Sequence, residues 1–144
     1  SSEYLTFVCS RYNDSFVALL DSKAPLDPKY AKNISFDSKG NPINVNSGFF
    51  EVCTPGTSDS GKSFPCAKGT TELQGTGYWD DTIPTEHGAT SWLQTKAPIV
   101  PGETITVQFV IWDTGDHVLD SSVLVDNWKW DAAGTTAPVT DRPK

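Results

Sequence analysis

The sequence predicts an all-β fold, a two-sheet, jelly-roll-like β-sandwich of about nine strands. Three observations carry that expectation. β-Branched and aromatic residues recur in short runs between clusters of Gly, Pro, Asn and Asp, the pattern of a sandwich. No stretch shows the 3.6-residue apolar period of an amphipathic helix. With 144 residues, 37% of them hydrophobic and 11% aromatic, the chain holds enough apolar bulk for the core of one domain.

Tyr4 to Cys9 is an apolar run suited to a first strand, and Ser15 to Asp21 a second. Asn33 to Asp37 and Ile43 to Asn46 flank Asp37-Ser38-Lys39-Gly40-Asn41-Pro42, which has the Gly, Asn and Pro of a tight reversal. Gly48 to Cys53, Thr71 to Thr76 and Ser91 to Lys96 follow; Ala97 to Gly102, with two prolines, is a second turn. Thr104 to Asp113 alternates and then becomes continuously apolar, which predicts a central strand covered on both faces near its end. Ser121 to Asp131 alternates with Leu124, Asp126, Trp128 and Trp130 on one side, expected to face the core. From Ala132 the residues are small, polar and Pro-containing. The expected organisation is a sandwich over residues 1–131 and a linker or frayed tail over 132–144.

Charge and composition narrow the partners. Eleven Lys and Arg against 18 Asp and Glu leave a net charge of -7, with no basic cluster to hold a phosphate backbone, so nucleic acid is excluded as an expectation. No apolar stretch approaches the roughly 18 residues of a membrane span. The sequence begins at Ser1 and contains no Met, so a processed product or an excised domain of a longer protein is expected.

Three cysteines show neither a CxxC pair nor Cys/His zinc spacing. Cys53 and Cys66 bracket a Gly-, Ser-, Pro- and Thr-rich stretch that has little apolar surface with which to order itself. A disulfide between them is expected, worth roughly 3 kcal/mol in the chain-entropy model, and it implies an oxidising compartment. Cys9, within its apolar run, is expected to be a small buried hydrophobe.

Three places could carry chemistry. Asp113-Thr114-Gly115-Asp116-His117-Val118-Leu119-Asp120 puts three carboxylates into one short connection. Such carboxylates repel unless neutralised, and calcium, which takes six to eight oxygens in a flexible shell, does this well. The alternative is a solvated hairpin whose aspartates cap turns. Asn13 and Asp14, joining the first two strands, and Glu3 upstream are placed to complete the same cation site if the fold brings the loops to one end. Third, Tyr78 and Trp79 lie on a polar, Gly-rich loop with Asp80, Asp81, Glu86 and His87. Flat rings beside hydrogen-bonding groups suit the C–H faces and hydroxyls of a sugar, whereas the alternative has the rings plug the end of the core. Neither Gly-x-Ser-x-Gly nor His-Glu-x-x-His occurs, so no catalytic residue is expected.

Ser2-Glu3-Tyr4, Tyr12-Asn13-Asp14-Ser15-Phe16, Asn33-Ile34-Ser35-Phe36-Asp37, Trp112-Asp113-Thr114-Gly115-Asp116 and Leu119-Asp120-Ser121-Ser122 occur in that order along the chain. Together they resemble the choice-of-anchor domains of bacterial surface and secreted proteins, most closely the L-type members common in myxobacteria. The resemblance extends to Trp130. It implies an exported β-sandwich within a longer protein, no transferable catalytic residues, and recurring acidic positions here at Glu3, Asn13, Asp14, Asp113, Asp116 and Asp120. It also implies a further strand before Ser2, whose lack would leave a sheet edge open to strand pairing with another chain.

The leading expectation is a non-enzymatic, extracellular or cell-surface, calcium-stabilised module for adhesion or glycan binding, its partner a glycan or a cell-surface protein. The rivals are a structural spacer without a ligand, and a carbohydrate-active hydrolase built on Asp80, Asp81, Glu86 or His87.

Overall fold

The structure, a computed structural model, describes Val8 and residues 13–114 and 121–143. It is a sandwich-like all-β fold of small antiparallel sheets, and the helical content of the described residues is one 3-10 turn, Pro28–Tyr30. The strands are β1 (Ser15–Asp21), β2 (Ile43–Asn44), β3 (Phe50–Cys53), β4 (Gly56–Thr57), β5 (Ser63–Phe64), β6 (Gly88–Thr90), β7 (Gln94–Lys96), β8 (Thr106–Trp112) and β9 (Val139–Asp141).

The largest sheet has the order β2-β1-β8, and its longest ladder pairs all seven residues of β1 with β8, from Ser15↔Trp112 to Asp21↔Thr106. β1 occupies the middle, and its alternation shows in the burial of Ala18 and Leu20. These two pack with Ile34, and Phe16, Leu26, Ile99, Ile105 and Val107 close over them. A second cluster joins Val8, Phe50, Phe64 and the Cys53–Cys66 disulfide, and a third joins Val52, Leu73 and Ala89. Among the described residues, small separate clusters accompany strands that are mostly two to four residues long.

Several elements depart from the sequence expectations. β8 is hydrogen-bonded to β1 on one side and has no strand partner on the other among the described residues. Phe109, Ile111 and Trp112 are 46, 41 and 44% exposed, where a strand covered on both faces was expected. Residues 121–131 form no strand, and Leu124, Trp128 and Trp130 lie exposed, the two indoles packing edge to face at 5.6 Å. Residues 71–76 are turns: the Thr76 hydroxyl donates to the Leu73 carbonyl at 2.6 Å, and the Leu73 and Gln74 N–H groups donate to Thr70. Hydroxyl side chains that bond the nearby backbone compete with a strand ladder. At Asn33 the side chain takes over part of a strand's role, its Oδ1 accepting from the N–H of Ala18 and of Ser35.

The segment expected as a linker or frayed tail contains β9, which pairs Val139, Thr140 and Asp141 with Lys96, Thr95 and Gln94. Thr140 is buried, and its hydroxyl meets that of Thr95 at 2.8 Å. Three residues of small-sheet pairing amid Pro and Gly leave almost no periodicity to read, so this strand is set by its partner.

Candidate functional site

The site is built on the ends of β1 and β8. One residue beyond Ser15↔Trp112, the antiparallel register sets Asp14 opposite Asp113, and the Asn13 N–H donates to the Thr114 carbonyl at 3.3 Å, continuing the ladder. Side chains directly opposite in such a pair stand about 4.5–5.5 Å apart at Cβ. On its other side Asp14 accepts at its backbone carbonyl from Val45 N–H, and Val45 is fully buried. Asn46 donates through its side-chain amide to Asn13 Oδ1 at 2.8 Å, tying the next position down.

Asp14 is 5% exposed, and its Oδ2 accepts no hydrogen bond among the described residues. A buried carboxylate oxygen without a hydrogen-bond partner bears a desolvation cost. Like charges directly opposite add to it. Of the predicted set, Asp14 and Asp113 thus stand opposite each other at one end of the sheet and Asn13 occupies the adjoining position, its side chain bonded to Asn46, while Glu3, Asp116 and Asp120 lie outside the described residues. Among the described residues no group of three His, Cys, Asp or Glu side chains forms a metal cluster, so a cation here would draw further oxygens from carbonyls, amides or water.

The predicted aromatic loop is arranged differently from an open platform. Tyr78 and Trp79 are partly buried against the cluster of Val52, Leu73 and Ala89. Trp79 Nε1 donates to Asp81 Oδ1 at 2.7 Å, and its ring lies 5.9 Å from that of His87. Asp80 Oδ1 accepts from the hydroxyl and N–H of Thr82 at 2.7 and 2.8 Å; these bonds hold its carboxyl below the ordinary value. That shift opposes a role as general acid, which needs a raised pKa. Glu86 N–H donates to Ile83, and Thr54 Oγ1 anchors the loop at the Pro84 carbonyl. The loop thus gathers Trp79, Asp81 and His87, with Tyr78 beside them on the core.

Sequence reasoning overlooked an apolar groove on the β1–β8 face. Residues two apart on a strand share a face, so Asp14, Phe16 and Ala18 of β1 lie with Asp113, Ile111 and Phe109 of β8. The Phe16 and Phe109 rings stack at 6.2 Å. A groove of about 360 Å³ runs along this face, bounded by Phe16, Phe109, Ile111, Tyr78, Ser122 and Val123. Its one legible signal was the alternation within 104–113, which marks shared faces without saying which are covered.

Compared with known proteins, residues 1–129 match the family model described as the Choice-of-anchor L domain. No curated protein and no solved structure matches the chain.

Proposed function

Since this chain belongs to the choice-of-anchor L family, whose domains are non-catalytic modules of secreted and surface proteins, we propose that it is a calcium-stabilised module for adhesion or glycan binding. Among the described residues no helix is long and apolar enough to cross a membrane. The observation that carries the proposal is the buried Asp14 carboxylate, its Oδ2 without a hydrogen bond, set opposite Asp113. Calcium neutralises both charges and links the end of β1 to the end of β8, 99 residues away (113 less 14).

A cation that binds only the folded state stabilises it by mass action. At about tenfold excess over its dissociation constant the gain is about 1.4 kcal/mol, and extracellular calcium modules bind at about 10⁻⁴–10⁻³ M. Thermal melts in EDTA and in millimolar calcium test the proposal. The expected result is a calcium-dependent rise in Tm that Asp14→Asn abolishes. Asp14→Asn also relieves the carboxylate repulsion, so in EDTA it is expected to melt above the wild type. Coincident wild-type melts in EDTA and calcium overturn the proposal.

A further inference from the structure

We propose that a basic cleft beside Phe49 is a seat for an acidic sugar: the carboxylate of a uronic acid lies against Arg142 and Lys39, and its ring hydroxyls meet Ser38 and Asn41. This rests on the glycan-binding part of the reading above, not on its calcium site, and names the class of sugar.

The cleft, of about 320 Å³, is walled by four separate stretches of chain: Ser38, Lys39 and Asn41 of a turn, Phe49 ahead of β3, Lys62 of the β4–β5 hairpin and Arg142 after β9. Three of the chain's 11 Lys and Arg thus share one cleft, in a molecule whose net charge is -7. Against the carboxylates of Asp37, which also lines it, and of Glu51, which pairs with Arg142, they leave one net positive charge.

The groups that would meet a ligand are held beforehand, which lowers the entropy lost on binding. Arg142 commits Nε and one hydrogen of Nη2 to Glu51, and its guanidinium rests over the Phe49 ring, 5.0 Å from the centroid. A guanidinium has five N–H donors, so its Nη1 end can still form a second fork with a carboxylate. Lys62 Nζ lies 4.9 Å from the centroid of the Phe64 ring. Asp37 is taken up by its own turn: Oδ1 accepts from the N–H groups of Lys39 and Asn41, each at 2.9 Å, and Oδ2 from Asn41 Nδ2 at 3.0 Å. That last bond leaves Asn41 Oδ1 as the acceptor end of its amide, next to the exposed Ser38 hydroxyl.

An apolar ligand, or a neutral sugar stacking on an aromatic face, needs an open ring. Phe49 is only 8% exposed and has the guanidinium over it. An inorganic anion, or the carboxylate of a peptide side chain, would meet the cations and leave Ser38 and Asn41 to water. A uronic acid engages both sets, since its planar carboxylate matches the guanidinium fork and its hydroxyls both donate and accept. A volume of about 320 Å³ stands at the small end of ligand sites, which run from about 300 to 1,000 Å³, and suits one or two sugar rings.

The test is binding of uronic acid oligosaccharides, of the same oligosaccharides with their carboxyls reduced to alcohols, and of an aspartate-rich peptide, each in millimolar calcium and in EDTA. Uronate binding is expected in both buffers, and at least about tenfold weaker for the reduced sugars and the peptide. Lys39→Ala, at an exposed turn position, should weaken uronate binding at least about tenfold without changing the melt, and Arg142→Ala should weaken it as much. Lys129→Ala, which removes an exposed cation that does not line the cleft, should leave binding intact. Binding of neutral sugars alone, or uronate binding indifferent to Lys39→Ala and Arg142→Ala, overturns the cleft assignment while the glycan-binding reading stands. Equal or tighter binding of the peptide overturns the choice of a sugar. If no sugar binds at all, this assignment and the glycan-binding reading both fall, and the calcium site is judged by its own melts.

Discussion

Arg142 forks onto Glu51: its Nε donates to Oε2 at 2.8 Å and its Nη2 to Oε1 at 2.5 Å, joining residues 91 apart in sequence. The guanidinium also lies over the Phe49 ring, 5.0 Å from its centroid. The Glu51 hydrogen bonds raise the pKa of Arg142 above its ordinary value, which burial alone would lower. This clasp fastens the segment carrying β9 to the sheet of β3. Both side chains are partly exposed, so Arg142→Ala is expected to cost only about 0.5–1 kcal/mol in denaturant titrations. Arg142→Lys should recover less than half of that, since an ammonium cannot form the fork. Equal stability of the Lys variant and the wild type would contradict the bidentate geometry.

Gly88 pairs with Cys53 in the β3–β6 ladder beneath the Phe50 ring. A Cβ at position 88 would overlap Phe50 Cζ and approach the Cys53 Cβ to 3.2 Å. Phe50 is buried and set edge to face against Phe64 at 5.8 Å, so it has little room to yield. Gly88→Ala should destabilise by about 1–3 kcal/mol. In a double-mutant cycle Phe50→Leu should offset part of that loss, because the two changes share one space. Simple additivity would show that the clash is relieved elsewhere.

Glu103 accepts hydrogen bonds from Ser22 Oγ at 2.5 Å and from the N–H groups of Lys23 and Val100, each at 2.7 Å. The Ser22 bond, then the two backbone bonds, hold its pKa below 4.5. A depressed carboxyl contributes stability that is complete above its unfolded pKa and is lost as pH falls through its folded one. Glu103→Gln is thus expected to flatten the acid side of the stability profile and leave the neutral side parallel to the wild type. Melts taken through the carboxylate range check this, and an unchanged acid limb would refute it.

Cys53 and Cys66 are buried and bonded to each other with 13 residues of separation. Replacing both by Ala should cost roughly 3 kcal/mol through the freed denatured chain. For a domain of this size that is a fall in Tm of about 10 °C. The loss should fall largely on β4 and β5, the hairpin enclosed by the bridge, and hydrogen exchange at Thr57 and Ser63 would report it.

The bridge was legible in the sequence because the chain between the two cysteines has little apolar residue with which to fold, a purely local property. β1 was legible for a similar reason: Ser15–Asp21 is one unbroken β-prone run. Membership of the family rested on short ordered motifs, which are sequence facts by nature. The hairpin of β4 and β5, two residues to a strand, carries too little pattern to be seen this way.

The sequence by itself determined the all-β class, the disulfide and the acidic and aromatic groups available for binding, since composition and alternation act within a few residues. Only the tertiary structure decided that β8 has β1 as its one strand partner among the described residues, with Phe109 and Ile111 exposed, and that Trp79 turns to Asp81. It alone set Asp14 opposite Asp113. Register is fixed by which strands meet across long stretches of chain, and a one-residue slip would have sent Asp14 to the other face.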